Sequence, residues 1–364
     1  MPDKKYDITH FLPEHKSQVL DLLTHLWKYE HHAFSDLFRW KYFDNPNSEM
    51  PLGIVALYNS RVVGFRGYFA NRFVINGINN NIIVLHPGDT CVDPNHRKNG
   101  LSVAMGNLAT QYNTSKYPLL MNMTCNNKSL PGYLKLGFQP LDQKISLKWC
   151  SLNPLELYRY HKAGRDNKSL AIRRIKLGQF GDILVSDSPL PELMASIIKT
   201  QAYPKGKICL YQDQTFFEWR FKNPVHKYVF YYFMKNKIAQ GYIVIDVSDR
   251  NYGTILDYGE SNDQAIAAIL TYLIKSKNFV VLSIYDYGID DKLRKVLSSF
   301  LFIKNHPLKR LKRIIVKSSD ERQPLPLLIR PVKKSFTEDN FFIEKVDVRK
   351  IDNWRLKPIC SDAV

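Results

Sequence analysis

The chain has 364 residues, 45% of them hydrophobic and 13% aromatic, enough apolar material for two cores, which excludes disorder as the default. Its 52 basic and 34 acidic residues leave a formal charge of +18, which favours anionic partners such as phosphates, nucleotides, nucleic acid or an anionic membrane surface. The apolar runs, such as residues 82–85, 228–234 and 242–247, are strand-length and far short of the ~20 residues that span a bilayer, and Met1–Lys5 opens no apolar leader, so a soluble, cytoplasmic chain is expected.

In chain order, Leu20, Leu23 and Trp27 share one face of a helix predicted over 14–29. The adjacent pair His31-His32 follows; neighbouring side chains diverge, so it makes a poor metal site. Next comes Phe38-Arg39-Trp40-Lys41-Tyr42-Phe43-Asp44-Asn45-Pro46, then a strand over 53–57, a polar Asn59-Ser60-Arg61 turn and a second strand over 64–69. Far downstream Phe217-Glu218-Trp219-Arg220-Phe221-Lys222-Asn223-Pro224 repeats the pattern, with strands over 228–234 and 241–247 flanking Lys235-Asn236-Lys237. So many matches in register indicate a tandem duplication. We place the first unit at 1–150, a connector at 151–177 and the second unit at 178–364, whose first helix falls at 191–200. Strands mixed with helices make the fold α/β or α+β.

A strand over 81–92 runs directly into Asp93-Pro94-Asn95-His96-Arg97-Lys98-Asn99-Gly100-Leu101-Ser102 and then into a helix. A basic, glycine-containing turn at a helix N-terminus is an anion cradle, because the first-turn N–H groups lack intrahelical acceptors. Gly100 permits close backbone approach, and Arg97 and Lys98 add charge. A further strand over 119–124 leads to Asn126-Asn127-Lys128-Ser129-Leu130-Pro131-Gly132-Tyr133-Leu134-Lys135-Leu136-Gly137-Phe138.

In the second unit the phosphate chemistry is lost. The matching segment, Asp257-Tyr258-Gly259-Glu260-Ser261-Asn262-Asp263, reads as an acidic turn, and three acids oppose a pyrophosphate. The run 309–317 alternates basic and apolar residues like a half-solvated strand. The five cysteines (Cys91, Cys125, Cys150, Cys209, Cys360) are scattered with no CxxC pair, which argues against a zinc knuckle or disulfide framework; no metal is expected.

The 93–102 segment resembles motif A of the GNAT acetyltransferases, a turn that holds the pyrophosphate of coenzyme A, with Ser102 where Gly or Ala is usual. Residues 126–138 resemble motif B. The pair covers about 82–141 and implies tandem GNAT domains with a degenerate second copy, and an acyl-CoA-dependent N-acyltransferase of the EC 2.3.1 type. The resemblance implies that the backbone of Cys91 and Val92 pairs with pantetheine. It further implies that Arg97, Lys98, Asn99, Gly100, Leu101, Ser102, Asn126 and Ser129 hold the cofactor, and that Tyr133 is the general acid. For the general base His86, Asp89 and a water or a residue of the second unit stay open; His titrates near neutral pH. His32 and Trp40 lie where GNAT folds build the acceptor wall, and Asp257 and Tyr258 are expected to shape the acceptor pocket from the second unit.

The duplicated signature also resembles a bacterial subgroup of N-acyltransferases acting on nucleotide-linked amino sugars of the dTDP-amino-dideoxyhexose type in surface-polysaccharide synthesis. That implies a small-molecule acceptor and no nucleic-acid partner. A Fem-like aminoacyl transferase using charged tRNA is the alternative; the basic Arg97–Ser102 turn argues against it.

Overall fold

Asn59 and Ser60 have φ of 50° and 61°, and Asn236 and Lys237 have 52° and 65°. Two consecutive left-handed residues make the tight hairpin whose twist matches its strands. Both hairpins also carry a bulge, between Ala56 and Leu57 in one and between Phe233 and Met234 in the other. Each of these two hairpins follows one copy of the Trp-basic-aromatic segment that ends in Asn-Pro, as two copies of one unit would.

The computed structural model describes residues 5–27, 31–75, 81–112, 115–142, 147–152, 173–176, 181–201, 203–248, 252–276, 278–287, 289–304 and 326–361; for 31–33, 147–152, 173–176 and 304 only the backbone is described. The basic run at 309–317 and most of the 151–177 connector lie outside the described residues. The first unit runs β1 (Asp7–His10), α1 (Lys16–Trp27), α2 (His31–Phe38), a π-helical turn (Arg39–Phe43), β2 (Gly53–Tyr58), β3 (Arg61–Ile75), β4 (Asn81–Val92), α3 (Leu101–Leu108), β5 (Leu119–Asn122), α4 (Leu130–Lys135), β6 (Gln139–Pro140) and β7 (Leu147–Leu152). Then come β8 (Arg173–Lys176), β9 (Asp182–Ser186), α5 (Pro191–Lys199), β10 (Ile208–Leu210), α6 (Gln214–Arg220), β11 (Tyr228–Lys235), β12 (Ile238–Asp246), β13 (Tyr252–Glu260), α7 (Ala265–Ser276), β14 (Val281–Asp286), α8 (Asp291–Ser299) and β15 (Ile303–Lys304). The chain ends with β16 (Leu328–Pro331), the hairpin β17 (Phe342–Ile343) and β18 (Val346–Asp347), and β19 (Trp354–Arg355).

The first sheet has the order β1-β2-β3-β4-β5-β16-β6, with β10 joined to the far end of β3 and to β19. The second has the order β15-β7-β14-β13-β12-β11-β9-β8. β4 and β5 are parallel, as are β13 and β14. The two units exchange strands. β16, from the end of the chain, lies between β5 and β6 of the first sheet, and β7, from the first unit, lies between β14 and β15 of the second. A boundary at residue 150 therefore falls inside a strand of the second sheet.

Alternation along β3 sorts its side chains to opposite faces. Val63, Tyr68 and Ala70 pack beneath α3 and α4 with Leu85, Leu101, Met105 and Leu136. Phe69 and Phe73 face the second unit and join a core with Trp40, Phe217, Trp219, Tyr242 and Trp354. The two sheets thus share one apolar interface, and α1 and α2 close a smaller cluster over Phe65 and Cys91.

Candidate active site

Beyond Leu85, among the described residues, no strand pairs with β4 on its β5 side. The two parallel strands pair only at Val84 with Leu119 and Leu85 with Leu120, then diverge. On its other side β4 is bulged: Phe65 pairs with Cys91 and Gly67 with Gly88, which leaves Asp89 and Thr90 opposite Arg66 alone. Asp89 takes φ of 50°, a left-handed value that asparagine and aspartate tolerate better than most residues. An open strand edge with a bulge is therefore presented to the gap between β4 and β5, and it leads straight into the 93–102 turn.

That turn is braced by its own side chains. Asp93 accepts the Asn95 N–H (2.8 Å), Arg97 Nε donates to the Val92 carbonyl (3.1 Å), and Asn99 Nδ2 donates to the carbonyls of His96 and Arg97. The Tyr6 hydroxyl and His96 Nδ1 share a hydrogen bond of 3.1 Å. Lys98 (φ 64°) and Gly100 (φ 71°) are both left-handed, and a Cβ on Gly100 would meet nothing within 4 Å, so the glycine serves conformation rather than packing. Gly100 O accepts from Val103 and Ala104, so the Leu101 and Ser102 amides lead out of the helix N-terminus.

Asn126 is exposed and Ser129 half-buried, and the two are engaged with each other. Asn126 Oδ1 accepts the amides of Lys128 and Ser129, and Ser129 Oγ accepts the Asn126 amide. They start α4, which carries Tyr133 under the sheet. The Tyr133 ring is 7% exposed, edge-on to Phe138 (5.0 Å), and has the Arg66 guanidinium 4.9 Å from its centroid.

The two base candidates are placed differently. His86 is 3% exposed, between the Phe69 and Phe73 rings on the face toward the second unit. Asp89 Oδ2 accepts from Lys41 Nζ (2.9 Å) and from the Tyr42 hydroxyl (2.6 Å). Sequence reasoning missed Lys41 and Tyr42 as parts of the site; their signal is the basic-aromatic step of the repeated motif, here wound into a π-helical turn of the kind that gathers at functional sites. Gly67 makes room for them, since a Cβ there would fall 2.1 Å from the Tyr42 hydroxyl. Burial pushes the Cys91 thiol up to about 12 and the Cys125 thiol to about 11, which leaves neither as a thiolate nucleophile.

Trp40 is buried against Trp219, and both border a cleft of about 550 Å³ that is also lined by Arg39, Asp36, Asp44 and Lys222. None of the 93–102 residues reaches this cleft. The side chain of His32 lies outside the described residues.

In the second unit the expected acidic turn is strand as far as Glu260, so Asp257 sits in β13 instead. It is fully buried and accepts from Gln212 Nε2 (2.7 Å), the Tyr242 hydroxyl (3.0 Å) and Lys357 Nζ (2.7 Å). Lys357 also donates to the Tyr258 carbonyl. With its acceptors so engaged, Asp257 is an internal support that joins β13 to the end of the chain. Glu260 and Asp263 do not stand uncompensated either: Lys292 Nζ contacts them at 2.5 and 2.6 Å, across the start of α7.

No family model matches the sequence, and no curated protein does. The fold is shared with several solved structures. A conserved Enterococcus faecalis protein described as a probable N-acyltransferase is 12% identical over 91% of this chain and 73% of its own, with a TM-score of 0.59. A GCN5-related N-acetyltransferase of Anabaena variabilis is 13% identical over 90% of this chain and 73% of its own, with a TM-score of 0.56. A tandem GNAT protein of the clavulanic acid biosynthesis pathway is 10% identical over 91% of this chain and 100% of its own, with a TM-score of 0.52. With its mixed sheets, flanking helices and duplicated unit, the chain has the tandem GNAT fold.

Proposed function

We propose that the protein is an acyl-CoA-dependent N-acyltransferase whose first unit binds the donor. The observation that carries this reading is the β4 edge over 87–92, which among the described residues pairs with no strand on its β5 side, is bulged at Asp89 and is continuous with a braced, basic helix N-terminus. An extended pantetheine can add to that edge as a strand would, and the amides of Leu101 and Ser102, with Arg97 and Lys98, receive a pyrophosphate. The acyltransferase descriptions of the fold neighbours point the same way.

In this reading Asp89 is the proton acceptor, being at the bulge while His86 is enclosed by phenylalanines. The amine nitrogen forms a bond to the thioester carbon and the C–S bond breaks. Of the two protons an ammonium gives up, one leaves through Asp89 to solvent and one ends on the CoA sulfur by way of Tyr133. Holding amine and carbonyl in register supplies much of the acceleration.

For the acceptor we propose the amino group of a nucleotide-linked amino sugar. The support is the charge of +18 together with a cleft where Lys222 and the Asp44-paired Arg39 offer cations to a diphosphate, beside Asp36 and the edges of the buried Trp40 and Trp219. The test is intact-mass detection of acyl transfer across a panel of acyl-CoAs and amino-sugar nucleotides. Transfer to simple amines alone removes the acceptor, and no transfer from any acyl-CoA removes the donor.

A further inference from the structure

Two arginines are buried where the proposed donor would enter, and no carboxylate meets either. Arg66 is 2% exposed and Arg330 is 4% exposed, and among the described residues neither forms an ion pair. Arg66 Nη1 donates to the Ser102 carbonyl (3.3 Å) and Arg330 Nη2 to the Lys333 carbonyl (3.0 Å), whereas Arg66 Nε, Arg330 Nε and Arg330 Nη1 are buried with no hydrogen-bond partner. Burying each charge costs several kcal/mol, and the carbonyls and aromatic faces around the pair return part of it with no anion present.

Their placement says what could return the rest. Arg66 projects from β3 opposite the β4 bulge, over the Tyr133 ring at 4.9 Å. Arg330 comes from β16, opposite Leu120 of β5, and lies over the Phe336 ring at 5.4 Å. They stand on the two sides of the gap between β4 and β5, with Tyr68 and Tyr133 on the same face of the sheet. Burial lowers the Arg330 pKa; Tyr68 opposes that and the neighbouring Arg66 charge adds to it, so the two cations sense each other. The strand exchange delivers one of the pair, because Arg330 belongs to the end of the chain.

We infer that Arg66 and Arg330 form a receptor for a carboxylate at the far end of the donor's acyl group, so that the acyl-CoA used is of the dicarboxylic class. This rests on the donor reading above. The phosphates of CoA are served by the turn at 97–102, exposed as far as Gly100, and a phosphate dianion would have to shed its water to reach the arginines. A group tethered to a thioester in the gap arrives there by connection, and a single carboxylate can take bidentate bonds from the free guanidinium N–H groups. The cleft proposed above for the acceptor is lined by neither arginine.

The test is calorimetric titration of the full chain with CoA, butyryl-CoA and succinyl-CoA, without acceptor. Butyryl and succinyl groups match in length and differ in the terminal charge. The inference expects succinyl-CoA to bind about tenfold or more tighter than butyryl-CoA. It expects Arg330→Met to erase that preference, leave butyryl-CoA affinity unchanged and keep or raise the melting temperature of the free protein, since a buried unpaired charge is removed. Arg66→Gln serves as the second variant if Arg330→Met fails to fold. Equal binding of the two acyl-CoAs overturns the carboxylate site and leaves the donor reading standing. A preference for succinyl-CoA that survives the folded variants also overturns it. Failure of CoA itself to bind overturns the donor reading, and the inference with it.

Discussion

Trp40 and Trp219 are joined reciprocally: the indole N–H of Trp40 donates to the Trp219 carbonyl at 3.0 Å, and that of Trp219 donates to the Trp40 carbonyl at 2.9 Å. Their rings stack with centroids 5.5 Å apart and planes 15° apart. Equivalent residues of two repeats can do this only across a local two-fold axis, so the pair marks where the units meet. Replacing either tryptophan by phenylalanine leaves a buried carbonyl without its donor, at a cost of about 1–3 kcal/mol. The double substitution should cost less than the two single costs together, because one bonded unit is lost. Urea unfolding measures both; full additivity would show that the pair is not coupled.

Gly67 should be intolerant of a methyl group. Its Cβ would displace the Tyr42 hydroxyl, which donates to Asp89. Gly67→Ala is expected to lower turnover at least tenfold with little change in CoA affinity, since the disturbance lies at the bulge and not at the phosphate turn. Steady-state kinetics with CoA titration decides it; parental turnover would detach Asp89 from the chemistry.

Tyr133→Phe keeps the ring against Arg66 and Phe138 and removes only the hydroxyl. Turnover should fall about a hundredfold while the Michaelis constant for acyl-CoA stays near its parental value. Unchanged turnover would mean that the thiolate departs without Tyr133.

Asp347 gives a stability effect with a defined sign. Arg349 donates to it through Nε (3.0 Å) and Nη2 (3.1 Å), and this pairing holds the carboxyl below the ordinary aspartate range. A depressed folded pKa contributes stability that is present above the unfolded value of about 4 and lost as pH falls through the folded one. Asp347→Asn should therefore be less stable than the parent at pH 7 and converge with it at about pH 2. Denaturant unfolding at the two pH values checks this; a constant gap would remove the ion pair as its cause.

Much of the fold is legible in residue pattern. The strand at 81–92, the phosphate turn and the duplicated hairpins follow from alternation, glycine and turn chemistry, which are local properties. The exchange of β7 and β16 is not, because alternation says that a strand is half-buried and not which sheet receives it. The partnership of Asp89 with Lys41 and Tyr42 depends on a bulge and a π-helical turn meeting across the fold, a coincidence of geometry that spacing does not encode. Asp257 misleads for a related reason: its charge reads as exposed, and only the fold supplies Lys357 from a hundred residues downstream. Arg66 and Arg330 leave a trace, as single cations inside the apolar stretches 62–69 and 327–332.

The claim on which the rest depends is that one CoA binds, at the turn of the first unit. In the second unit the corresponding place, at the start of α7, holds Glu260 and Asp263 bound to Lys292. Calorimetric titration of the full chain with CoA, beside Arg97→Glu, measures this directly. The account predicts one site per chain and at least a hundredfold weaker binding in the folded variant, where a pyrophosphate partner has become a repelling charge. Two sites per chain, or unchanged affinity in Arg97→Glu, would contradict it.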